Sequence, residues 1–110
     1  MDIKILNEIA VIELSEKLDL YNAALLPRAI NKLIAKNTKS VILNLKNVVY
    51  IDSSWIGVLI TSMSELRKNG GALKITGLNE FTTPIFRITN SKRLFDIYTD
   101  ENEAVKSFKH

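Results

Sequence analysis

Cysteine is absent from the 110 residues. That excludes a disulfide framework, thiolate metal sites and a thiol nucleophile, and it suits a reducing compartment such as the cytosol. Histidine occurs once, as His110 at the C-terminal end, so no imidazole is available for a buried general base or a metal cluster. No apolar run approaches the ~20 residues of a membrane span. The first residues, with Asp2, Lys4, Asn7 and Glu8, lack the apolar centre of a signal peptide. Glycine is scarce, and the pair Gly70-Gly71 reads as a helix stop, not as a phosphate loop with its lysine. The expectation is a soluble cytoplasmic protein with no metal and no cofactor. Linkers, repeats and low-complexity segments are missing too, so residues 1–110 are expected to form one domain. A chain of this length buries roughly 65% of the surface its unfolded form exposes, and needs no staples.

The formal charge is +3, but the basic residues are scattered as Lys36 and Lys39, Arg67 and Lys68, Lys92 and Arg93, and Lys106 and Lys109. Polyanion binding calls for a continuous basic stripe with interleaved aromatics, so direct nucleic-acid binding is not expected.

What is present is an alternation of strand and helix patterns. Ile3 and Ile5, then Ile9 to Leu14, read as two strands joined by a hairpin at Asn7-Glu8. Leu25, Leu26, Ala29, Ile30, Leu33 and Ile34 mark one helical face. Pro27 puts the start of that helix near Leu26, or makes it irregular around Ala23-Ala24. Val41 to Leu45 is almost continuously apolar, as in a central strand covered on both faces, with a short link before the next helix. Ala72 to Thr76 is a further strand, Thr83-Pro84 opens a short helix, and Leu94 to Tyr98 is a last strand. Asp100 and Glu103 have the spacing of a capping pair, opening a helix that buries Ala104, Val105 and Phe108. The predicted fold is α/β: a mixed sheet with an N-terminal hairpin, mostly parallel strands thereafter, and about four helices.

The most informative stretch runs from Val48 to Leu59, an apolar strand that stops at Asp52-Ser53-Ser54 and turns into an amphipathic helix. On a 100° wheel Trp55, Ile56, Leu59, Ile60, Met63 and Leu66 fall within an arc of about 140°, the expected buried face. Opposite lie Ser54, Thr61, Glu65 and Lys68, flanked by Gly57 and Val58. Either Ser53 or Asp52 is expected to cap the helix, which leaves Ser54 exposed and spare. A helix N-terminus favours negative charge, so a hydroxyl there is well placed to carry a phosphate. Neither a base in adjacent sequence nor a Gly-x-Ser-x-Gly elbow accompanies Ser54, so it fits a substrate serine and not a nucleophile. No enzymatic activity is expected.

The order of elements resembles the STAS domain, named for sulphate transporters and anti-sigma-factor antagonists, and within it the small stand-alone bacterial antagonists. The resemblance rests on Ile51-Asp52-Ser53-Ser54 with Gly57-Val58-Leu59. It extends through Lys17-Leu18-Asp19, Val41 to Leu45, Gly70-Gly71, Leu94 to Tyr98 and Glu103-Ala104-Val105. It implies that Ser54 is phosphorylated by an anti-sigma factor that is a serine kinase, and that a PP2C-type phosphatase resets it. The unphosphorylated form would bind the kinase and release a sigma factor. Asp19 is expected at the same partner-facing end, with Ser53, Ser54, Trp55, Val58 and Thr61 completing the partner-binding set. Family members usually carry glycine where this chain has Trp55. The alternative is a STAS adaptor subunit of a transporter or stress-signalling complex, never phosphorylated, with Trp55 and Val58 as interface anchors.

Overall fold

A computed structural model of the chain describes residues 1–108. Lys109 and His110, which entered the charge and imidazole arguments, lie outside the described residues.

The chain begins with a hairpin, β1 (Asp2–Leu6) against β2 (Ile9–Leu18), turning through Asn7 and Glu8, both at positive φ. A two-residue turn with both residues left-handed matches the twist of the flanking strands, and asparagine tolerates that conformation well. Helix α1 (Leu25–Ala35) follows, then β3 (Ser40–Ile51), α2 (Ser53–Lys68), β4 (Ala72–Thr76), α3 (Thr83–Ile88), β5 (Asp96–Tyr98) and α4 (Glu101–Ser107). The sheet order is β1-β2-β3-β4-β5, antiparallel only between β1 and β2. This is the mixed α/β sheet with four helices expected from the sequence.

Several boundaries differ. No link separates Val41–Leu45 from Val48–Ile51: β3 runs straight through Lys46 and Asn47, because the far half of β2 pairs with it as Ser15 with Asn47 and Leu18 with Ile51. β2 is correspondingly longer than Ile9–Leu14 and crosses two irregularities to stay in register, with Glu16 at positive φ. The last strand loses Leu94 and Phe95, since Lys92–Leu94 coil into a 3-10 turn. Buried Phe95 instead packs edge-on against Phe86 at 5.9 Å. Helix α3 begins at Thr83 itself, so Pro84 is its second residue, and Thr82 at the N-cap position makes no side-chain capping bond. On α2 the buried arc is rotated toward α1: Ser62 is buried and Ile60 is only partly covered.

Both faces of the sheet are covered. Ala10, Ile12 and Leu14 of β2 and Val41, Leu43 and Leu45 of β3 share the main core with α1, α2 and Phe86 of α3. The opposite face carries Ile9, Val11 and Ile42 beneath Ala104 of α4, with Val105 and Phe108 partly buried beside them. Lys74 projects to that second face, where its ammonium lies 4.1 Å from the Phe108 ring centroid and donates to Ser107 Oγ at 2.6 Å. Coverage on both sides is what makes Val41–Leu45 of β3 almost continuously apolar.

Candidate functional site

Strand β3 delivers Ile51 into the core and α2 starts two residues later, so the corner between them is tight. Asp52 adopts an extended backbone and caps α2: its Oδ1 accepts the Ser54 N–H at 3.0 Å. Of the two residues the sequence left open as the cap, it is therefore Asp52, and Ser53 is the exposed first residue of the helix. Ser54 is not spare. It is half-buried, and its hydroxyl donates to the same Asp52 carboxylate oxygen. The wheel placed Ser54 on the open face because it treats the helix in isolation, whereas the cap residue folds back over the first turn.

Trp55 points the other way. It is 1% exposed, and its indole N–H is shared between the Asp19 carbonyl at 2.9 Å and Asn22 Oδ1 at 3.0 Å. Trp55 is thus a pillar beneath the site and offers no surface to a partner, contrary to its expected role as an interface residue. The segment it supports is a 3-10 turn, Leu20–Asn22, capped reciprocally by Asp19 and Asn22. Asp19 Oδ1 accepts the Tyr21 N–H at 3.0 Å, and Asn22 Oδ1 accepts the Asp19 N–H at 3.0 Å. Asn22 also donates to the Lys17 carbonyl at 2.7 Å, and the Asp52 N–H donates to the Leu18 carbonyl at 3.1 Å. The Asp19 turn and the Asp52 corner are therefore one hydrogen-bonded unit.

Above that unit stand residues that sequence reasoning missed. Leu20 is 72% exposed and Tyr21 96% exposed, on the turn that Trp55 ties to the start of α2, where Ser53 is exposed as well. The signal was present as Asp19-Leu20-Tyr21-Asn22, an aspartate and asparagine at capping spacing that presents the two residues between them outward. The rest of the expected set is less concentrated. Val58 is half-buried against the core. Thr61 is exposed but lies two turns along α2, beside a small groove shared with Pro27 and Asn31 of α1. The corner thus brings Asp19, Ser53 and Ser54 together, supported by Trp55 and continued by Val58, and leaves Thr61 apart.

Among the described residues no cluster of histidine and acidic side chains could hold a metal ion, and no helix is long and apolar enough to cross a membrane. Away from the corner, Asn44 donates to Glu101 at 2.8 Å and Lys4 pairs with the same carboxylate at 3.3 Å. The Asn44 hydrogen bond, aided by Lys4 and opposed by partial burial, holds the Glu101 carboxyl below its ordinary pKa.

The model of the STAS domain matches residues 1–104. The chain belongs to the STAS domain family. This STAS domain is 31% identical over 100 residues to the anti-sigma-B factor antagonist of Bacillus subtilis (strain 168), covering 91% of this chain and 90% of that protein. Among solved structures it is similar in fold to a putative anti-sigma factor antagonist from Thermotoga maritima, with a TM-score of 0.90 at 24% identity over 99% of this chain and 94% of that one. It also shares its fold with the phosphorylated form of the Bacillus cell fate determinant SpoIIAA, at a TM-score of 0.73 and 21% identity, covering 98% of each chain.

Proposed function

We propose that this STAS domain is an anti-sigma-factor antagonist whose binding corner is switched by phosphorylation of Ser54. An anti-sigma factor with serine kinase activity is the partner and modifying enzyme, and a PP2C-type phosphatase restores the hydroxyl. The domain itself has no turnover and works in the cytoplasm as a protein-binding module. The observation that carries this reading is the placement of Ser54: a hydroxyl in the first turn of α2, beside the cap, on a helix start tied through Trp55 to the turn that exposes Leu20 and Tyr21.

Such a surface suits a switch. Exposed aromatic and aliphatic side chains provide binding area, and a phosphate adds about −1.5 to −2 charges among them. Pressed into an interface that charge must be desolvated, and like-charge contact there costs several kcal/mol, so affinity falls roughly a hundredfold or more. A phosphate on Ser54 also meets Asp52, its hydroxyl's own acceptor. Modification thus removes a donor and sets two anions against each other at the helix start, where the free N–H groups partly compensate.

The half-burial of Ser54 favours a second reading, a permanent adaptor in a transporter or stress-signalling complex that is never modified. Incubation with ATP and a serine kinase anti-sigma factor, followed by phosphopeptide mapping, separates the two. Incorporation at Ser54, with loss of kinase binding, supports the switch. No incorporation while binding persists selects the adaptor.

A further inference from the structure

A second surface, formed from different elements, has its own chemistry. Between β1 and α1 runs an apolar groove of about 600 Å³. Its floor and walls include Ile3 and Ile5 of β1 and Leu25, Ala29 and Leu33 of α1. Ile3 is 44% and Ile5 55% exposed although both belong to the edge strand of the sheet. Edge strands are ordinarily protected by charge or cover, and an exposed pair of isoleucines beside a concavity marks an interaction surface.

The rim of this groove is basic. Arg28, Lys32 and Lys36 line it, one helical turn apart along α1 and its C-terminal cap. Among the described residues none of these cations makes an ion pair, and α1 contains no acidic residue. The charges therefore have no counterpart within the described molecule.

We infer that the β1–α1 groove docks an acidic amphipathic helix of a partner protein, its apolar face on Ile3, Ile5 and Leu25 and its carboxylates along Arg28, Lys32 and Lys36. The spacing agrees: cations four residues apart rise about 6 Å per step, the interval of carboxylates at i, i+4 and i+8 on an adjacent helix. The groove-and-helix arrangement is a recurrent recognition mode in which apolar anchors supply affinity and flanking charge sets orientation. A second copy of this chain is a poor occupant, because a twofold contact would oppose the same cations. A lipid surface is likewise disfavoured, since the apolar residues line a concavity instead of projecting from one. Met1 also lines the smaller cleft against Leu18 and Asn22, so the groove begins beside the turn that Trp55 supports. The inference holds whether or not Ser54 is modified.

The test uses the full chain and a synthetic helical peptide of about 15 residues, with leucines at i, i+3, i+4 and i+7 and glutamates along one flank. Nuclear magnetic resonance titration is expected to shift Ile3, Ile5, Leu25, Ala29 and Leu33, more at low salt than at high. The combined variant Arg28→Glu, Lys32→Glu, Lys36→Glu should bind at least tenfold more weakly and prefer the same peptide with lysines for glutamates. Ile5→Ser, a milder change at an exposed position, should weaken binding without lowering Tm. Equal binding of both peptides, absence of shifts at about 1 mM peptide, self-association that covers Ile3 and Ile5, or capture by anionic vesicles in place of the peptide would each overturn the assignment.

Discussion

The indole of Trp55 donates to the backbone carbonyl of Asp19 across 36 positions of sequence, joining the first turn of α2 to the turn that follows β2. Two acceptors share that one N–H, the Asp19 carbonyl and Asn22 Oδ1. Trp55→Phe retains most of the packing and takes one donor from each acceptor, while the Asn22 N–H still reaches the Asp19 carbonyl at 3.3 Å and the Asp19 N–H still reaches Asn22 Oδ1 at 3.0 Å, so a loss of about 0.5–1.5 kcal/mol is expected. Trp55→Gly should cost more, about 3–5 kcal/mol, because a large buried side chain disappears as well. Chemical denaturation of the two variants checks the order. Increased exchange of the Tyr21 and Asn22 amides in Trp55→Phe would show that the indole holds the turn.

The cap at Asp52 separates the two serines by stability. Asp52→Ala should lose about 1 kcal/mol, the usual cost of removing an N-cap, whereas Ser53→Ala should change little because Ser53 makes no side-chain capping bond. Thermal melts decide this. A larger loss in Ser53→Ala than in Asp52→Ala would refute the assignment of the cap.

Ser54→Ala removes one hydroxyl donor from a carboxylate that keeps its backbone N–H, so it should fold with a loss of about 1 kcal/mol or less. Ser54→Asp sets a second carboxylate beside Asp52 and should be the less stable of the two at low salt, with the gap narrowing as ionic strength rises. Combining Ser54→Asp with Asp52→Asn should recover part of the difference. A double-mutant cycle with no coupling would show that the two side chains do not interact.

Glu101 gives the fold an acid-side dependence. Its carboxyl titrates below the ordinary range in the folded chain, chiefly because Asn44 donates to it, so the folded state binds fewer protons there than the unfolded state. The associated stability is fully present above the unfolded glutamate pKa of about 4.3 and is lost as pH falls through the lower folded value. Glu101→Gln should flatten the stability profile below about pH 4.3 while changing its slope little near neutrality. Denaturant titrations across that range measure it.

Much of the architecture was legible because hydrophobic period and turn chemistry are local. Asn7-Glu8 gave away the hairpin, Gly70-Gly71 the end of α2, and Asp100 the start of α4. The break expected after Leu45 did not occur, because Lys46 and Asn47 are held in the strand by a partner register that hydropathy does not encode. At the corner, the position of Ser54 followed from the pattern, but the half-burial of its hydroxyl did not. The inward direction of Trp55 followed from the wheel, but its acceptors did not, because they lie on a turn more than thirty residues away.

Helix α2 is held at its far end as firmly as at Asp52. Past Lys68 the chain turns at Gly70 with positive φ, the Gly71 N–H returns to the Leu66 carbonyl at 2.8 Å, and a Cβ on Gly71 would stand 2.1 Å from the Lys39 carbonyl oxygen. Backbone packed so closely at one end, with the Asp52 cap at the other, opposes sliding of α2 along its axis. A helix held in this way is ill suited to act as a piston. A new charge at the corner is therefore expected to act on the face where it lands.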